Sequence, residues 1–363
     1  MHPARRPDMS GEASRWRRYR VAKRTIETEA IVSLFLVADD GRPLLAFKAG
    51  QFLTFKLKNS AGRPLPRNYS ISSDPFDAAG YRISVKREMN GVGSGFIHDI
   101  ALEGTTIEGS DPKGDFVLDD ASKRPVILLA GGIGITPLLA MAYALSRQGR
   151  KTWLIHACEN GRLQPFRSEI AKLCSEPNGL EWRTFLNKPE AEDIAANRHD
   201  FAGQVTLETL RHVLPKNDYD AYLCGPAGFM QAMFNILLHL GLPENRIHYE
   251  FFGPATVIKA TGGTGDASPA RAVEHGAPPP GPRVTFAVSG QTAIWDGSER
   301  TLLDFAEAQG LAPAFACRNG ICNTCLCKIS GAVTYIDEPL DEPEPGQALI
   351  CCSVPRGDIT IQL

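Results

Sequence analysis

What the sequence lacks narrows it before any motif is read. No apolar stretch approaches the ~18 residues of a membrane-spanning helix; the longest candidates, VILLA and ILLHL, have the size of core segments. There is no surplus of either charge, with 39 Lys and Arg against 41 Asp and Glu and a net charge of −2. That balance offers no basic surface for nucleic acid. The N-terminal stretch MHPARRPDMSGEASRWRRYR is basic but has no apolar h-region, so a secretory signal is not expected and residues 1–16 read as a disordered basic tail. Without export, the expected compartment is the reducing cytoplasm. Clustered cysteines there read as metal ligands or redox groups rather than disulfides. No internal repeat is visible.

What is present falls into blocks of different texture. The chain has 363 residues, 43% hydrophobic and 22% charged, enough for two or three globular domains. Over 17–120, short alternating runs such as QFLTFKL and YRISVK are broken by turn clusters such as DDGRP and NSAGRP. That rhythm predicts a small antiparallel β-barrel. Over 121–255, compact apolar runs (PVILLA, TWLIHA, DAYLCG) alternate with helical stretches (PLLAMAYALSRQG, AGFMQAMFNILLHLG), which predicts an α/β domain around a doubly wound parallel sheet. Residues 256–282, rich in Gly, Ala and Pro, read as a linker. A last block, 283–363, has two short strands, an amphipathic helix, a cysteine-rich loop and a final strand DITIQL.

Six of the nine cysteines lie in that last block, in CRNGICNTCLC and as the pair Cys351 and Cys352. A zinc ribbon usually shows two CxxC knuckles, and only one is here. The spacing Cys317, Cys322, Cys325, then a distant cysteine, is instead the C-x4-C-x2-C…C pattern of a [2Fe–2S] centre. One loop wraps such a cluster with three thiolates, and Gly320 with small polar neighbours lets backbone N–H groups point at sulfur. The fourth ligand is Cys351 or Cys352, and in an extended segment adjacent side chains point to opposite sides, so one of them faces the cluster. CRNGICNTC with ALICCSVP resembles the plant-type ferredoxins, with their β-grasp fold. The resemblance implies Cys351 as fourth ligand and Cys327 and Cys352 as non-ligands.

The segment RNYSISSDP offers residue types suited to a flavin, although R-x-Y-S alone also fits an ordinary strand. Tyr69 has a flat face for the isoalloxazine, Ser70 can hydrogen-bond near N5, and Arg67 can neutralise phosphate. A glycine-rich turn, GVGSGFIHDI, leads into a short helix expected to begin near Ser94, a seat for pyrophosphate. Together with YRISVKRE and PKGDFVLD, the block resembles the flavin barrel of the ferredoxin–NADP⁺ reductase superfamily, above all the reductase portion of flavohaemoglobins. That implies FAD, with Arg67, Asn68, Tyr69, Ser70, Val85, Lys86, Gly93 and Ser94 as contacts. A phthalate dioxygenase reductase-like enzyme would make FMN the alternative.

VILLAGGIGITPLLAM reads as strand, glycine turn and helix, with Thr136 expected as N-cap and Pro137 at the first helical position. It is not a GxGxxG; the spacing matches the G-G-x-G-x-T-P of the same superfamily. The candidate dinucleotide contacts are Gly131, Gly132, Ile133, Gly134, Thr136 and Pro137. A second turn, YLCGPAGFM, adds Cys224, Gly225 and Pro226. Taken alone, Cys224 fits a buried core cysteine; the resemblance sets it beside the nicotinamide. Phe252, in HYEFFGP, is either a core residue or, by resemblance, the cover of the flavin face. After the second strand, Glu159 would repel a 2′-phosphate, whereas Arg162 and Arg167 could attract one; NADH is expected, with NADPH as the alternative.

The resemblance covers about 17–363 and implies an NADH-dependent reductase component. Ser70, Cys224 and Phe252 are its candidate catalytic residues. Electrons would pass from NADH through the flavin to the [2Fe–2S] cluster and on to a partner protein, a Rieske-type or other terminal oxygenase. The alternatives are another redox acceptor, such as a hybrid-cluster protein or a desaturase, and a redox-sensing module without catalysis.

Overall fold

The computed structural model describes residues 16–58, 64–89, 91–177, 179–214, 218–252, 281–315, 318, 320, 323–339 and 342–363. The expected basic tail up to residue 15, most of the expected linker, and Cys317 and Cys322 lie outside these residues.

The first sheet is antiparallel and has six strands: β1 (Trp16–Thr28), β2 (Ile31–Ala38), β3 (Phe52–Lys58), β4 (Pro64–Ser70), β5 (Tyr81–Lys86) and β6 (Thr106–Ser110). Their order is β4-β3-β6-β1-β2-β5, and a bridge between Ile71 and Ile83 joins the two ends into a barrel. The period-2 rhythm of β5 explains its orientation: Tyr81, Ile83 and Val85 are buried, while Arg82 is half-buried and Lys86 exposed. A short helix, α1 (Val92–Asp99), follows.

The second sheet is parallel: β7 (Val126–Gly131), β8 (Thr152–Cys158), β9 (Glu181–Leu186), β10 (Phe201–Ala202), β11 (Asp220–Gly225) and β12 (Ile247–Phe251). Helices α2 (Ile135–Gln148), α3 (Arg167–Ser175), α4 (Ala191–Ala195), α5 (Leu207–Val213) and α6 (Ala227–His239) connect them. Every residue of β7 and β11 is buried, as expected of strands covered on both faces. The order β10-β9-β8-β7-β11-β12 changes direction between β7 and β11, the switch point where such sheets bind ligands beyond the strand ends. Barrel and sheet share one continuous apolar core, with Leu53, Leu118, Leu139 and Met141 in a single cluster. The Asp119 backbone N–H also donates to the Tyr222 hydroxyl at 2.9 Å.

The C-terminal region holds β13 (Arg283–Phe286), β14 (Gln291–Ile294), α7 (Leu302–Ala308), β15 (Leu326–Ser330), β16 (Val333–Tyr335), β17 (Gln347–Leu349), β18 (Ser353–Pro355) and β19 (Ile359–Ile361). Five strands run in the order β14-β13-β19-β15-β17, and β16 pairs with β18. Thr301 caps α7 by accepting from the Asp304 N–H at 3.1 Å. Leu302, Leu303 and Phe305 enter this domain's own core, each burial worth roughly 1.5–3 kcal/mol. Among the described residues no helix is long and apolar enough to cross a membrane.

Candidate functional site

The barrel presents β4 beside the start of α1. In the β3–β4 pairing Asn68 lies opposite Thr54, whose hydroxyl donates to Asn68 Oδ1 at 2.8 Å. Arg67 is exposed and donates to its neighbour's carbonyl at Pro66, 2.8 Å away. Tyr69 is half-buried, and burial raises its phenol above the usual range. Ser70 is buried at the end of the strand. A Cβ on Gly93 would sit 2.8 Å from Arg67 Cγ and 3.1 Å from the Tyr69 hydroxyl, so only glycine lets the first turn of α1 come this close to the R-x-Y-S segment. The two segments are thus in direct contact, and they carry residue types suited to a flat ring and its phosphates.

Helix α1 begins at Val92, after Gly91, rather than near Ser94. The Ser94 hydroxyl is used elsewhere: it accepts from the Glu88 N–H and donates to the Gly91 carbonyl, both at 3.1 Å. The side chain thus ties the loop to the first turn, while the Gly91 N–H is taken by the Glu88 carbonyl at 3.0 Å. Val85 is buried and its carbonyl lies 2.9 Å from His98 Nε2. Lys86 is exposed beside Glu88 at 3.6 Å.

At the switch point, β7 ends in Gly131, and Gly132–Gly134 forms a single 3₁₀ turn that feeds α2. The N-cap of α2 is therefore Gly134, not Thr136. Ile135, not Pro137, is then the first helical residue; Thr136 and Pro137 follow it in the first turn, and the Thr136 hydroxyl donates back to the Ile133 carbonyl at 3.0 Å. The adjoining turn after β11 is pressed against this one. A Cβ on Gly134 would be 2.2 Å from the Cys224 carbonyl oxygen, and one on Gly225 would be 3.0 Å from Gly131 Cα. Gly132, at φ +54°, has nothing within 4 Å of where a Cβ would be. Its open side suits close approach of a dinucleotide backbone.

Cys224 is fully buried, and burial raises its thiol well above the usual value. Across the parallel ladder it faces Glu250 of β12. Burial pushes Glu250 up to about 8, and its Oε2 has no hydrogen-bond partner. The sequence reading missed this carboxylate, whose period-2 position in HYEFF was its signal. Phe252, just past β12, is 42% exposed, which removes it from the core and leaves its ring available to a cofactor. Beyond β8, Glu159 pairs with Lys188 at 2.8 Å, which lowers its carboxyl pKa. Arg162 pairs with Glu190 at 2.9 Å. Arg167 donates to the Arg198 carbonyl at 2.7 Å, with its guanidinium 5.2 Å from the Trp182 ring.

Of the cysteine loop the structure describes Arg318, Gly320 and residues 323–327; Cys317 and Cys322 are outside it. Arg318, Gly320 and Asn323 all have left-handed φ, +52°, +65° and +58°, which curls the loop tightly. Arg318 is held by Asp304 at 2.8 Å and Glu307 at 2.6 Å on α7. The Gly320 N–H donates to Cys351 Sγ at 3.3 Å, an amide-to-sulfur hydrogen bond of the kind that tunes thiolate-bound clusters. Cys325, Cys351 and Cys352 are buried. Residues 350–352 form a 3₁₀ turn, not the extended segment expected. Cys327 is on β15, half-buried, with its thiol raised by burial.

The comparisons agree with this division. Residues 128–234 match the oxidoreductase NAD-binding domain model, and 286–356 match the 2Fe-2S iron-sulfur cluster binding domain model. A flavohemoprotein of Xylella fastidiosa is 39% identical over 243 residues, 66% of this chain and 59% of its own. The chain thus spans about three-fifths of the curated relatives it matches. The flavohem-like FAD/NAD binding domain of a nitric oxide dioxygenase from Vibrio cholerae is 32% identical, covering 66% of this chain and 99% of that one, with a TM-score of 0.59. Phthalate dioxygenase reductase, described as a modular structure for electron transfer from pyridine nucleotides to [2Fe–2S], is 26% identical. It covers 96% of this chain and 98% of its own, with a TM-score of 0.57.

Proposed function

The chain belongs to the ferredoxin–NADP⁺ reductase-like flavoproteins, with a C-terminal [2Fe–2S] ferredoxin domain, and from that membership we propose that it serves a separate terminal oxygenase. It takes electrons from NADH and delivers them, through FAD and a [2Fe–2S] centre, to an acceptor of the Rieske type. The observation that carries this reading is coverage. The similarity to phthalate dioxygenase reductase runs through nearly all of both chains, whereas the flavohemoprotein relatives match only the reductase part.

When bound, the flavin accepts hydride and releases electrons singly, and the iron–sulfur centre relays them. The chain's residues bind and orient. Arg67 and the N–H groups around Gly93 and Ser94 hold phosphate, Tyr69 supports the ring, and Asn68, Ser70, Val85 and Lys86 line it. Gly131, Gly132, Ile133 and Gly134, with Thr136 and Pro137, admit the dinucleotide backbone, and Gly225 and Pro226 close the other side. Phe252, exposed just past β12, would supply an aromatic cover for the flavin. The buried Cys224 keeps water from the hydride path. Glu159 disfavours a 2′-phosphate, which selects NADH. Cys317, Cys322, Cys325 and Cys351 are the cluster ligands.

The test is analysis of the purified protein followed by anaerobic titration with NADH. The expected result is one FAD and two irons per chain, with both chromophores bleached by NADH, and reduction of a Rieske-type oxygenase by the mixture. Zinc without iron, or a flavin that NADH leaves oxidised, would refute the assignment.

A further inference from the structure

The seam between the barrel and the parallel sheet contains one network that packing alone does not require. Arg82, on β5, sends both terminal guanidinium nitrogens to Glu169 on α3, each at 2.8 Å. Tyr143 of α2 donates to the same carboxylate. The guanidinium carbon lies 4.9 Å from the centroid of the Phe166 ring. Its Nε donates to the Ser72 hydroxyl at 3.1 Å. That hydroxyl is 2.9 Å from Ser84 Oγ, which is 2.7 Å from Ser33 Oγ. The two charged side chains are only 19% and 23% exposed. A second tie runs alongside: Arg147 of α2 pairs with Asp74 at 2.7 Å and lies 4.9 Å from the Phe76 ring.

The network touches both halves of the site. Ser72 is two residues past Ser70 in the flavin segment. Phe166 ends the loop that begins at Glu159 on the dinucleotide side, and it is buried at φ +60° without being glycine. Such a conformation persists where the surroundings hold it, and here the Arg82 guanidinium sits over its ring. The shared apolar core holds barrel and sheet together, but apolar contact is non-directional and does not by itself select one angle between them. A bidentate guanidinium–carboxylate fork accepts one orientation, and a half-buried pair with each atom satisfied favours that arrangement over its neighbours.

We propose that Arg82 and Glu169 are positioning residues for hydride transfer, fixing the nicotinamide-binding domain at one angle to the flavin barrel. This rests on the NADH-to-flavin reading above. Neither side chain meets the reacting atoms. Their contribution is alignment, where a displacement near 1 Å costs up to about a hundredfold in rate.

The experiment uses full-length holoprotein with Arg82→Gln, Arg82→Lys, Glu169→Gln and the Arg82→Gln/Glu169→Gln double variant. Bound flavin, hydrogen exchange of α3 and residues 71–74, and anaerobic flavin bleaching at saturating NADH are measured, the last also with NADH deuterated at the transferred position. The single variants should keep full flavin and exchange faster in α3 and residues 71–74. They should bleach about tenfold or more slowly, with a larger isotope effect and a half-saturating NADH concentration within about threefold of wild type. The double variant should be no slower than the worse single, because both remove one interaction. Wild-type bleaching and exchange in flavin-replete variants would overturn the proposal. So would losses confined to flavin content. Should Arg82→Gln fail to fold, Arg82→Lys carries the comparison, because it keeps charge and stem but not the fork. Wild-type protein whose flavin NADH does not bleach would instead defeat the underlying reading.

Discussion

Gly132 and Gly134 are two residues apart in the same turn, yet an alanine at each should do opposite things. Gly134 has an ordinary helical φ of −60°, so a side chain there meets no torsional penalty. Its Cβ would instead fall 2.2 Å and 2.4 Å from the carbonyl oxygen and carbon of Cys224, and 2.7 Å from the Gly225 nitrogen. Ordinary contact needs about 3.5 Å, so the turn and the end of β11 must part by roughly 1 Å. One is the 3₁₀ turn leading into α2 and the other the end of a strand; both clashing groups are backbone, and neither can rotate away. Overpacking of flexible core groups costs ~1–3 kcal/mol, so this site should reach or exceed the upper end. At ~3 kcal/mol the nicotinamide domain's melting midpoint should drop by roughly 10 °C. Gly132→Ala meets no atom within 4 Å, and its cost is the left-handed φ alone, ~1–2 kcal/mol. On the proposed reading its methyl group would stand where the dinucleotide backbone approaches, so NADH affinity should suffer more than stability. Thermal unfolding, with hydrogen exchange of β7 and β11 to localise the change, and NADH titration of both variants check this. Equal midpoints, or a Gly134→Ala protein as stable as wild type, would refute the steric reasoning.

Other expectations follow from single features. In reduced-state EPR, Cys351→Ser should lose or severely perturb the [2Fe–2S] signal, while Cys327→Ser and Cys352→Ser should keep it; the reverse at 351 and 352 would move the ligand assignment by one residue. Glu250 stays protonated in the fold up to about 8 and ionises near 4.5 when unfolded, so the stability it contributes is present below pH 4.5 and is lost as pH rises through about 8. Glu250→Gln should flatten that decline in unfolding measured against pH. His156 is buried and pulled down to about 4 from 6.5, so stability should also fall as pH drops from 6.5 towards 4, and His156→Gln should remove that acid-side loss. Cleavage within 260–280 should leave an N-terminal fragment that reduces ferricyanide with NADH but reduces cytochrome c poorly; a fragment without flavin would show that the boundary is misplaced.

The repeating patterns were legible because they are local. Alternation in YRISVK, continuous burial in VILLA and DAYLCG, and the glycines after each strand all report geometry set within a few residues. Helix starts were less legible because their donors are shared. Thr136 is a good N-cap by type, but the glycine turn before it already takes a 3₁₀ form, and the hydroxyl bonds back to Ile133. Ser94 likewise spends its hydroxyl on Gly91 and Glu88. The period-2 position of Glu250 in HYEFF marks it only weakly, because what surrounds it depends on the pairing of β12 with β11. The Arg82–Glu169 pair joins residues 87 positions apart, a separation that no window along the sequence spans.

The two adjacent cysteines show how an expectation can keep its form while its physical ground changes. An extended segment would put Cys351 and Cys352 on opposite sides by its period of two. The segment is instead a 3₁₀ turn, in which successive side chains step by about a third of a revolution. Adjacent thiols still diverge, through a smaller angle, and both reach Gly320. Its N–H donates to Cys351 Sγ at 3.3 Å, while a Cβ there would lie 2.7 Å from Cys352 Sγ. The one residue therefore treats the two sulfurs differently, offering a donor to the first and bare van der Waals surface to the second. A thiolate bound to iron gains from an N–H pointed at it, whereas the Cys352 Sγ spends its own proton on the Leu349 carbonyl at 3.5 Å. This asymmetry at Gly320, rather than the alternation of a strand, is the physical argument for Cys351 as the ligand.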